Sequence, residues 1–233
     1  MQENTPPANA SQPEATARRG RRKEARPGEL VAAALDLFVE KGFAATRAEE
    51  VAARAGVSKG TLFLYFPTKE DLFKAVVQEN IASVLHQGME ELKAFEGSTA
   101  ELVPYMMQTW WERYGATKAS GITKLMMSEA SNFPELALFY QEHVVSPGRA
   151  LIKSVIQRGI DSGEFRQLNV DYAIFSILAP MMFLIMWKHS LGPCCPVGQN
   201  IEPMKYLQTQ GDIAVQGLLR RDGVFTNASR GAV

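Results

Sequence analysis

The segment at residues 58–66 combines residue types that suit contact with duplex DNA. On a helix, Leu62 and Phe66 share one face, which we expect to point inward with Val57 beside it. The opposite face carries a glycine, a hydroxyl, an apolar side chain, a phenol and a cation: Gly60, Thr61, Leu64, Tyr65 and Lys59. Such a face fits a major groove, which offers hydrogen-bond acceptors, phosphates and thymine methyl groups. The N–H groups at the helix N-terminus favour a phosphate nearby.

Turn and capping residues place this segment on the second of two short helices. Thr46 is a suitable N-cap for the first helix, and Glu49 three residues on completes a capping box. Gly56 ends that helix, because glycine takes the left-handed conformation without steric cost. Ser58 caps the second helix and Pro67 ends it. Two short helices joined in this way form a helix-turn-helix.

Periodic apolar residues extend the helical pattern on both sides. Residues 30–39 place apolar side chains on one face at three-to-four spacing, and Gly42 stops that helix. Beyond Pro67, Thr68 and Asp71 cap a longer helix that runs to about Phe95. From residue 99 onward we predict six helices, near 100–118, 122–130, 134–143, 147–162, 170–191 and 202–221. Because no strand alternation or hairpin turn is evident, the sequence predicts an all-α fold in two parts.

Charge is unevenly distributed along the chain. Lysine plus arginine and aspartate plus glutamate both number 25, so the formal net charge is zero. Residues 17–74 nevertheless hold twelve basic and eight acidic side chains, which makes this stretch basic and the remainder acidic. Local charge matters more than total charge for nucleic-acid binding.

Several absences indicate the compartment and exclude other protein classes. No cationic segment followed by an apolar run opens the chain, so we expect no secretory signal and a cytoplasmic location. Residues 173–187 are nearly all apolar, but they number about fifteen and include Pro180. A bilayer requires about twenty such residues, so we predict a helix buried in protein and no membrane partner. No phosphate-binding glycine loop, G-x-S-x-G, H-E-x-x-H or paired-cysteine zinc spacing is found, so we expect no enzyme, no metal and no cofactor.

The stretch that begins at Gly42 resembles the TetR (tetracycline-repressor-like) family of bacterial regulators. The matching motifs are a threonine cap, V-A-x-R-A-G-V-S, K-G-T-L-x-x-Y-F and x-K-E-D-L, in this order and at fixed spacing. The resemblance covers residues 27–82, about a quarter of the chain. A bare helix-turn-helix is a weak signal, whereas this ordered set of motifs is specific.

The resemblance implies that nine residues contact DNA: Thr46, Arg47, Ser58, Lys59, Gly60, Thr61, Leu64, Tyr65 and Lys69. Those at the start and outer face of the second short helix would meet base edges and the groove wall. Phosphates would be held by Thr46, Tyr65 and Lys69, although Thr46 would alternatively serve only as a cap. Arg47 stands where the family often has a second threonine, and it would add a phosphate or base contact. Leu64 departs from the family's common choice, so an operator sequence cannot be transferred.

The resemblance also implies a larger domain that binds a ligand and forms a dimer. We expect a disordered basic tail at 1–25, the helix-turn-helix domain at 26–84 with its motif at about 47–66, the ligand-binding and dimerisation domain at 85–222, and a flexible tail at 223–233. The last two helices would pair with a second subunit in a four-helix bundle. The first of them is apolar nearly all round and must be covered by a partner or within the monomer. A dimer would place its recognition helices about 34–36 Å apart on a palindromic operator.

Aromatic and methionine side chains are abundant in the larger part of the chain. They suit an adaptable apolar cavity, although any helical core also uses them. We predict ten of them as pocket residues: Trp110, Trp111, Tyr114, Met126, Met127, Phe139, Tyr140, Phe175, Met182 and Phe183. The expected ligand is hydrophobic or aromatic, because no run of Arg or Lys in this half indicates an anionic one. Its binding would release a repressor from DNA.

Three alternatives stay open at the level of sequence. The basic run at 18–26 is either a solvated tail or an arm that reaches phosphates. Cys194 and Cys195 are either structural or part of a thiol or metal sensor, for which no third ligand is identifiable. A helical adaptor that kept the fold and lost operator binding is the rival function, but the intact face between Lys59 and Lys69 argues against it.

Overall fold

The described part of the chain is helical almost throughout. The computed structural model describes residues 13–194 and 201–220, with side chains from residue 27 onward. Within these residues the α-helices are α1 (Pro13–Ala45), α2 (Ala48–Arg54), α3 (Lys59–Tyr65), α4 (Lys69–Val77), α5 (Ser83–Lys93), α6 (Thr99–Trp110), α7 (Ser120–Glu129), α8 (Pro134–Tyr140), α9 (Ser146–Asp161), α10 (Val170–Met186) and α11 (Pro203–Leu218). The same residues contain an isolated β-bridge from Phe165 to Leu219 but no strand. The predicted all-α fold is confirmed.

Helix α1 begins at Pro13, earlier than the sequence predicts. The apolar periodicity starts only at Leu30, because the preceding residues are mostly Ala, Arg, Lys and Glu. These residue types favour a helix without forming an apolar face. The backbone at 13–25 is therefore helical, where the sequence predicts a disordered tail. Residues 1–12 and the predicted tail at 223–233 lie outside the described residues.

In the N-terminal part, glycines and capping residues end and begin the helices at the predicted places. Gly42, at φ +86°, kinks α1 near its end, and Gly56, at φ +67°, follows α2. Both values lie in the left-handed region that glycine adopts freely. Ser58 and Thr68 cap α3 and α4, since each side-chain oxygen accepts the backbone N–H of the residue three positions later. The orientation of α3 relative to α1 and α2 follows from these breaks.

Four of the described helices continue into a π-helical turn. These turns are Gln78–Ala82 after α4, Trp111–Gly115 after α6, Gln141–Val145 after α8 and Trp187–Leu191 after α10. The first turn joins α4 and α5 into one helical run from Lys69 to Lys93, close to the long helix predicted up to Phe95. Such turns interrupt the regular hydrogen-bond ladder and are frequent near functional sites.

The buried side chains form two clusters that meet at Trp110 and Met182. The first core cluster joins α1, α2, α3 and α4 to α7 and α8, and the second joins α6, α9, α10 and α11. Three phenylalanines in the first cluster, Phe38, Phe43 and Phe73, contact one another with ring centroids 5.4 to 5.6 Å apart. Because this cluster includes helices from both parts of the chain, the helix-turn-helix packs directly on the larger part.

Candidate DNA-binding surface and ligand cavity

Helix α3 is held by a buried leucine and a capping serine. Leu62 has no exposed surface and belongs with Val51 and Ala52 of α2 to the first core cluster. Ser58 Oγ accepts the backbone N–H of Thr61 at 3.1 Å and lies 2.9 Å from its Oγ1. The inward face predicted for α3 is confirmed at Leu62, which leaves the opposite face toward solvent.

The solvent side of α3 carries the residues predicted to contact base edges. Ser58, Lys59 and Gly60 are exposed, Thr61 is half-buried, and Leu64 is 76% exposed. We call these five residues the α3 surface. A single exposed leucine is common on proteins. Here it stands beside a hydroxyl and a cation, the combination that suits a major groove.

The cation of the α3 surface is paired with an acid on α2. Lys59 Nζ lies 2.5 Å from Glu49 Oε1, and both side chains are about half exposed. The hydrogen bond from Lys59 is the main cause that lowers the pKa of Glu49, and Arg47 contributes through its charge. Sequence reasoning assigns Glu49 to a capping box and misses this pair. An exposed ion pair is weakly held, so Lys59 can exchange Glu49 for a phosphate.

The N-terminus of α2 lies one residue later than predicted. Its N-cap is the exposed Arg47, whose N–H donates to Glu50 Oε2 at 3.0 Å. Thr46 is 1% exposed, and its hydroxyl donates to the carbonyl oxygens of Gly42 at 2.7 Å and Leu37 at 3.2 Å. The hydroxyl replaces the backbone donor that a continuing helix would supply to Gly42. Thr46 therefore secures the turn from α1 to α2, and its hydroxyl does not face solvent for the predicted phosphate contact.

Lys69 joins the start of α4 to the end of α1. Its Nζ donates to the carbonyl oxygens of Phe43 at 2.9 Å, Thr46 at 3.0 Å and Ala44 at 3.4 Å, and it lies 4.4 Å from the Phe43 ring centroid. An ammonium group has three protons, and these contacts use them. The predicted phosphate contact would have to displace at least one of the carbonyls. Tyr65, another predicted phosphate ligand, is half-buried and packs against the first core cluster.

A cavity of about 360 Å³ lies within the larger part of the chain. Aliphatic side chains from α5, α9 and α10 form much of its wall, including Leu85, Ile152 and Met181. Of the ten predicted pocket residues, five line it: Trp110, Tyr114, Met127, Tyr140 and Met182. The volume falls in the range of small-molecule sites, which are typically concave and mostly apolar.

The other five predicted pocket residues lie elsewhere. Trp111 and Met126 are buried in the second and first core clusters. Phe139 stacks on a histidine ring of the same helical run, while Phe175 and Phe183 are exposed on α10. Residue type alone does not distinguish side chains that line the cavity from those that lie elsewhere, because cores, cavities and subunit interfaces all use aromatic and methionine side chains. The rotation of each helix in the fold decides between them.

Three buried hydroxyl groups form a hydrogen-bonded chain among the residues that line the cavity. Thr123 Oγ1 lies 2.5 Å from Tyr114 Oη and 2.6 Å from Tyr140 Oη. Tyr114 Oη donates to the carbonyl oxygen of Ala119 at 3.4 Å. All three side chains are less than a tenth exposed, and burial is the main cause that raises the pKa of both tyrosines. Sequence reasoning finds the tyrosines and misses Thr123, which contacts them only through tertiary packing.

Charged side chains stand at the exposed side of the cavity. Arg113 pairs with Glu91 at 2.6 Å, and the Arg149 guanidinium carbon lies 5.5 Å from the ring centroid of Phe175. Sequence reasoning misses both arginines because they belong to no basic run and converge only in the fold. The cavity thus has a charged rim and an uncharged hydroxyl chain in its buried wall.

The extension of α10 is anchored at the turn between α6 and α7. Lys188 Nζ donates to three carbonyl oxygens at 2.6 to 2.8 Å, those of Gly115, Ala116 and Thr117. His189 Nε2 lies 2.7 Å from Ser120 Oγ. Burial lowers the pKa of both residues, and that of His189 falls to about 4. The imidazole is therefore neutral at pH 7.

The cysteine loop offers no metal site in the part that the structure covers. Cys194 is exposed, and Cys195 lies outside the described residues. At 27–194 and 201–220, where side chains are described, no group of three or more His, Cys, Asp or Glu could hold a metal ion.

Comparison with known protein families gives matches in both parts of the chain. Residues 30–76 match the family described as "Bacterial regulatory proteins, tetR family". Residues 96–192 match the family described as "Tetracyclin repressor-like, C-terminal domain". The two matched regions contain the helix-turn-helix and most of the helices around the cavity.

Individual relatives differ in how much of the chain they resemble. The HTH-type transcriptional regulator RutR of Escherichia coli (strain K12) is 41% identical over 87 residues, which are 37% of this chain and 39% of RutR. The chain thus matches well under half the length of that relative. The uncharacterized HTH-type transcriptional regulator YdeS of Bacillus subtilis (strain 168) is 26% identical over 72% of this chain and 83% of its own. The fatty acid degradation regulator FadR from Bacillus halodurans shares the fold, with a TM-score of 0.69 at 21% identity over 84% of this chain and 97% of that chain.

Proposed function

Because the chain belongs to the TetR family of bacterial regulatory proteins, we propose that it is a dimeric, ligand-responsive repressor. The α3 surfaces of two subunits would bind a palindromic operator in successive major grooves. A small hydrophobic ligand in the cavity would release the DNA, and the protein would act in the cytoplasm. Its relatives are HTH-type transcriptional regulators, which supports a regulator rather than an enzyme.

The α3 surface is the observation that carries this proposal. Its residues stand on a helix whose opposite side is buried at Leu62, so the core holds their direction. Two cations, Lys59 on α3 and Arg47 at the start of α2, both act on the same carboxylate, that of Glu49. This side of the helix-turn-helix therefore offers cations, a hydroxyl and the apolar tip of Leu64 together, which matches the groups in a major groove.

An apolar stripe on α10 supports the dimer. Tyr172, Phe175 and Phe183 are 75%, 45% and 40% exposed, and their spacing places them on one side of the helix. Ile213 on the neighbouring α11 is 60% exposed. A second copy that contributes the same two helices would cover these side chains in a four-helix bundle.

A membrane is the alternative cover for α10. By length and composition only, Val170–Cys194 is long and apolar enough to cross one. The core helix of a soluble protein passes the same test. We favour a partner subunit because one side of α10, with Ile174, Ile177 and Leu184, is already buried in the second core cluster. Only the opposite stripe needs cover.

Selection of DNA sites by the purified full-length protein tests the proposal. The protein is incubated with randomised duplexes at low ionic strength, and the bound fragments are sequenced. We expect enrichment of one palindrome with half-sites about 10 base pairs apart, centre to centre. A reporter downstream of that palindrome should be silenced in cells, and released by a hydrophobic compound that binds the protein. No enriched duplex would point to the adaptor alternative, and reporter activation by the protein would contradict repression.

A pair of lysine variants connects DNA binding to the α3 surface. Lys59→Ala should weaken binding of the selected duplex about tenfold, because it removes a base or phosphate contact. Lys153→Ala is the matched control, since Lys153 is 52% exposed against 54% for Lys59 and also sits in an ion pair, with Asp171 at 2.7 Å. Equal affinity losses in the two variants would contradict the role of the α3 surface.

A further inference from the structure

The hydroxyl chain in the cavity wall is a polar feature within a mostly apolar surface. Tyr114, Thr123 and Tyr140 all line the cavity, as do aliphatic side chains such as Leu178 and Met181. A wholly apolar ligand would form no hydrogen bond with the hydroxyl chain. The direction of the hydrogen bonds within the chain determines which further hydrogen bond a ligand could form with it.

The hydrogen bond from Tyr114 to the Ala119 carbonyl fixes the direction of this chain. Because Tyr114 has a single proton, Thr123 donates to Tyr114 and Tyr140 donates to Thr123. All three protons are then used, and Tyr140 is the hydroxyl of the three whose oxygen accepts no hydrogen bond within the chain.

Burial makes this position selective. Tyr140 is 7% exposed, so water competes poorly for its hydroxyl. A polar ligand group that leaves water without finding a partner costs free energy, whereas one that bonds Tyr140 recovers it. A site built to bond a hydroxyl also discriminates against the analogue that lacks it.

We propose that the cavity binds an apolar molecule with a hydroxyl group on its buried side, which forms a hydrogen bond with Tyr140. A hydroxyl fits this position because it can donate its proton to the Tyr140 oxygen. The proposal rests on the ligand site of the proposed function, and it narrows the ligand class from hydrophobic compounds to hydroxylated ones.

Two probes of equal shape test the proposal on the full-length protein. They are 2-naphthol and 2-methylnaphthalene, which differ by a hydroxyl in place of a methyl group, and equilibrium dialysis measures the affinity of each. Tyr140→Phe removes only the phenolic oxygen. It should weaken 2-naphthol about fivefold, the worth of one neutral hydrogen bond, and leave 2-methylnaphthalene within about twofold.

Two further variants serve as control and second test. Tyr206→Phe makes the same change on α11, outside the cavity lining, and should alter neither affinity. Thr123→Val keeps the side-chain shape and removes the centre of the hydroxyl chain, so it should also weaken 2-naphthol selectively. It keeps the test decisive if Tyr140→Phe does not fold, as judged by circular dichroism.

Several results would overturn the proposal. These are unchanged 2-naphthol affinity in both cavity variants, an equal loss for the two probes, the same loss in Tyr206→Phe, or binding of neither probe to the wild-type protein. Release of the selected duplex is measured separately. If 2-naphthol binds through Tyr140 but leaves the duplex bound, the Tyr140 site is supported, and the release step of the proposed function is rejected.

Discussion

Replacing Lys69 by methionine keeps the unbranched apolar part of the side chain and removes its ammonium group. The variant loses hydrogen bonds to two carbonyl oxygens at 2.9 and 3.0 Å and a longer contact at 3.4 Å. Hydrogen bonds from a charged donor contribute about 1.5–3 kcal/mol each. Because Lys69 is half-buried, solvent screens part of this contribution, and we expect the free energy of unfolding to fall by about 2 kcal/mol in total. For a chain of this size, such a loss lowers Tm by about 4–8 °C.

Thermal unfolding and DNA binding together decide what Lys69 does. If the ammonium group serves to hold α1 against α4, Lys69→Met lowers Tm and leaves the salt dependence of binding to the selected duplex unchanged. If it holds a phosphate, the slope of log affinity against log salt falls by about one. Lys153→Met is the matched control for loss of a surface charge. A Tm within about 1 °C of the wild type would refute the structural reasoning, because the estimated loss requires a larger shift.

Two further predictions concern assembly and pH. The double variant Tyr172→Glu, Phe183→Glu places two charges on the exposed α10 stripe and should convert a dimer into a monomer. Light scattering at micromolar concentration measures this. A monomeric wild-type protein would contradict the proposed dimer. His189 has a pKa of about 4 in the folded protein, against 6.5 for an ordinary histidine. Between these pH values the unfolded state binds more protons than the folded state. The free energy of unfolding therefore decreases as pH falls from 6.5 toward 4. His189→Asn should reduce this dependence in melting curves recorded across that range, and a profile parallel to that of the wild type would count against it.

Local rules explain why much of the helix-turn-helix is predictable. Gly56, Ser58 and Pro67 act on the backbone within a few residues of themselves, so their effects can be deduced from the sequence. The N-cap of α2 is different. The Thr46 hydroxyl can bond either a nearby N–H group or a carbonyl oxygen across the turn, and the packing of α1 makes the second choice available.

Only half of the predicted pocket residues line the cavity, for a related reason. Apolar burial is non-directional, so a tryptophan or methionine has the same preference for a core, a cavity wall or a subunit interface. Trp110 and Trp111 are neighbours in sequence, yet the first lines the cavity and the second is buried in the second core cluster. Periodicity identifies the apolar face of a helix, but it does not identify whether that face packs in the core, lines a cavity or contacts a partner subunit.

Periodicity and capping alone determined the all-α class and the buried side of α3, because both depend on interactions within a few turns of one helix. Tertiary structure decided the partners of Lys69, the pairing of Lys59 with Glu49, and the chain from Tyr114 through Thr123 to Tyr140. Each of these depends on how separate helices are placed in space. That placement follows from packing of the whole core, which no local pattern encodes.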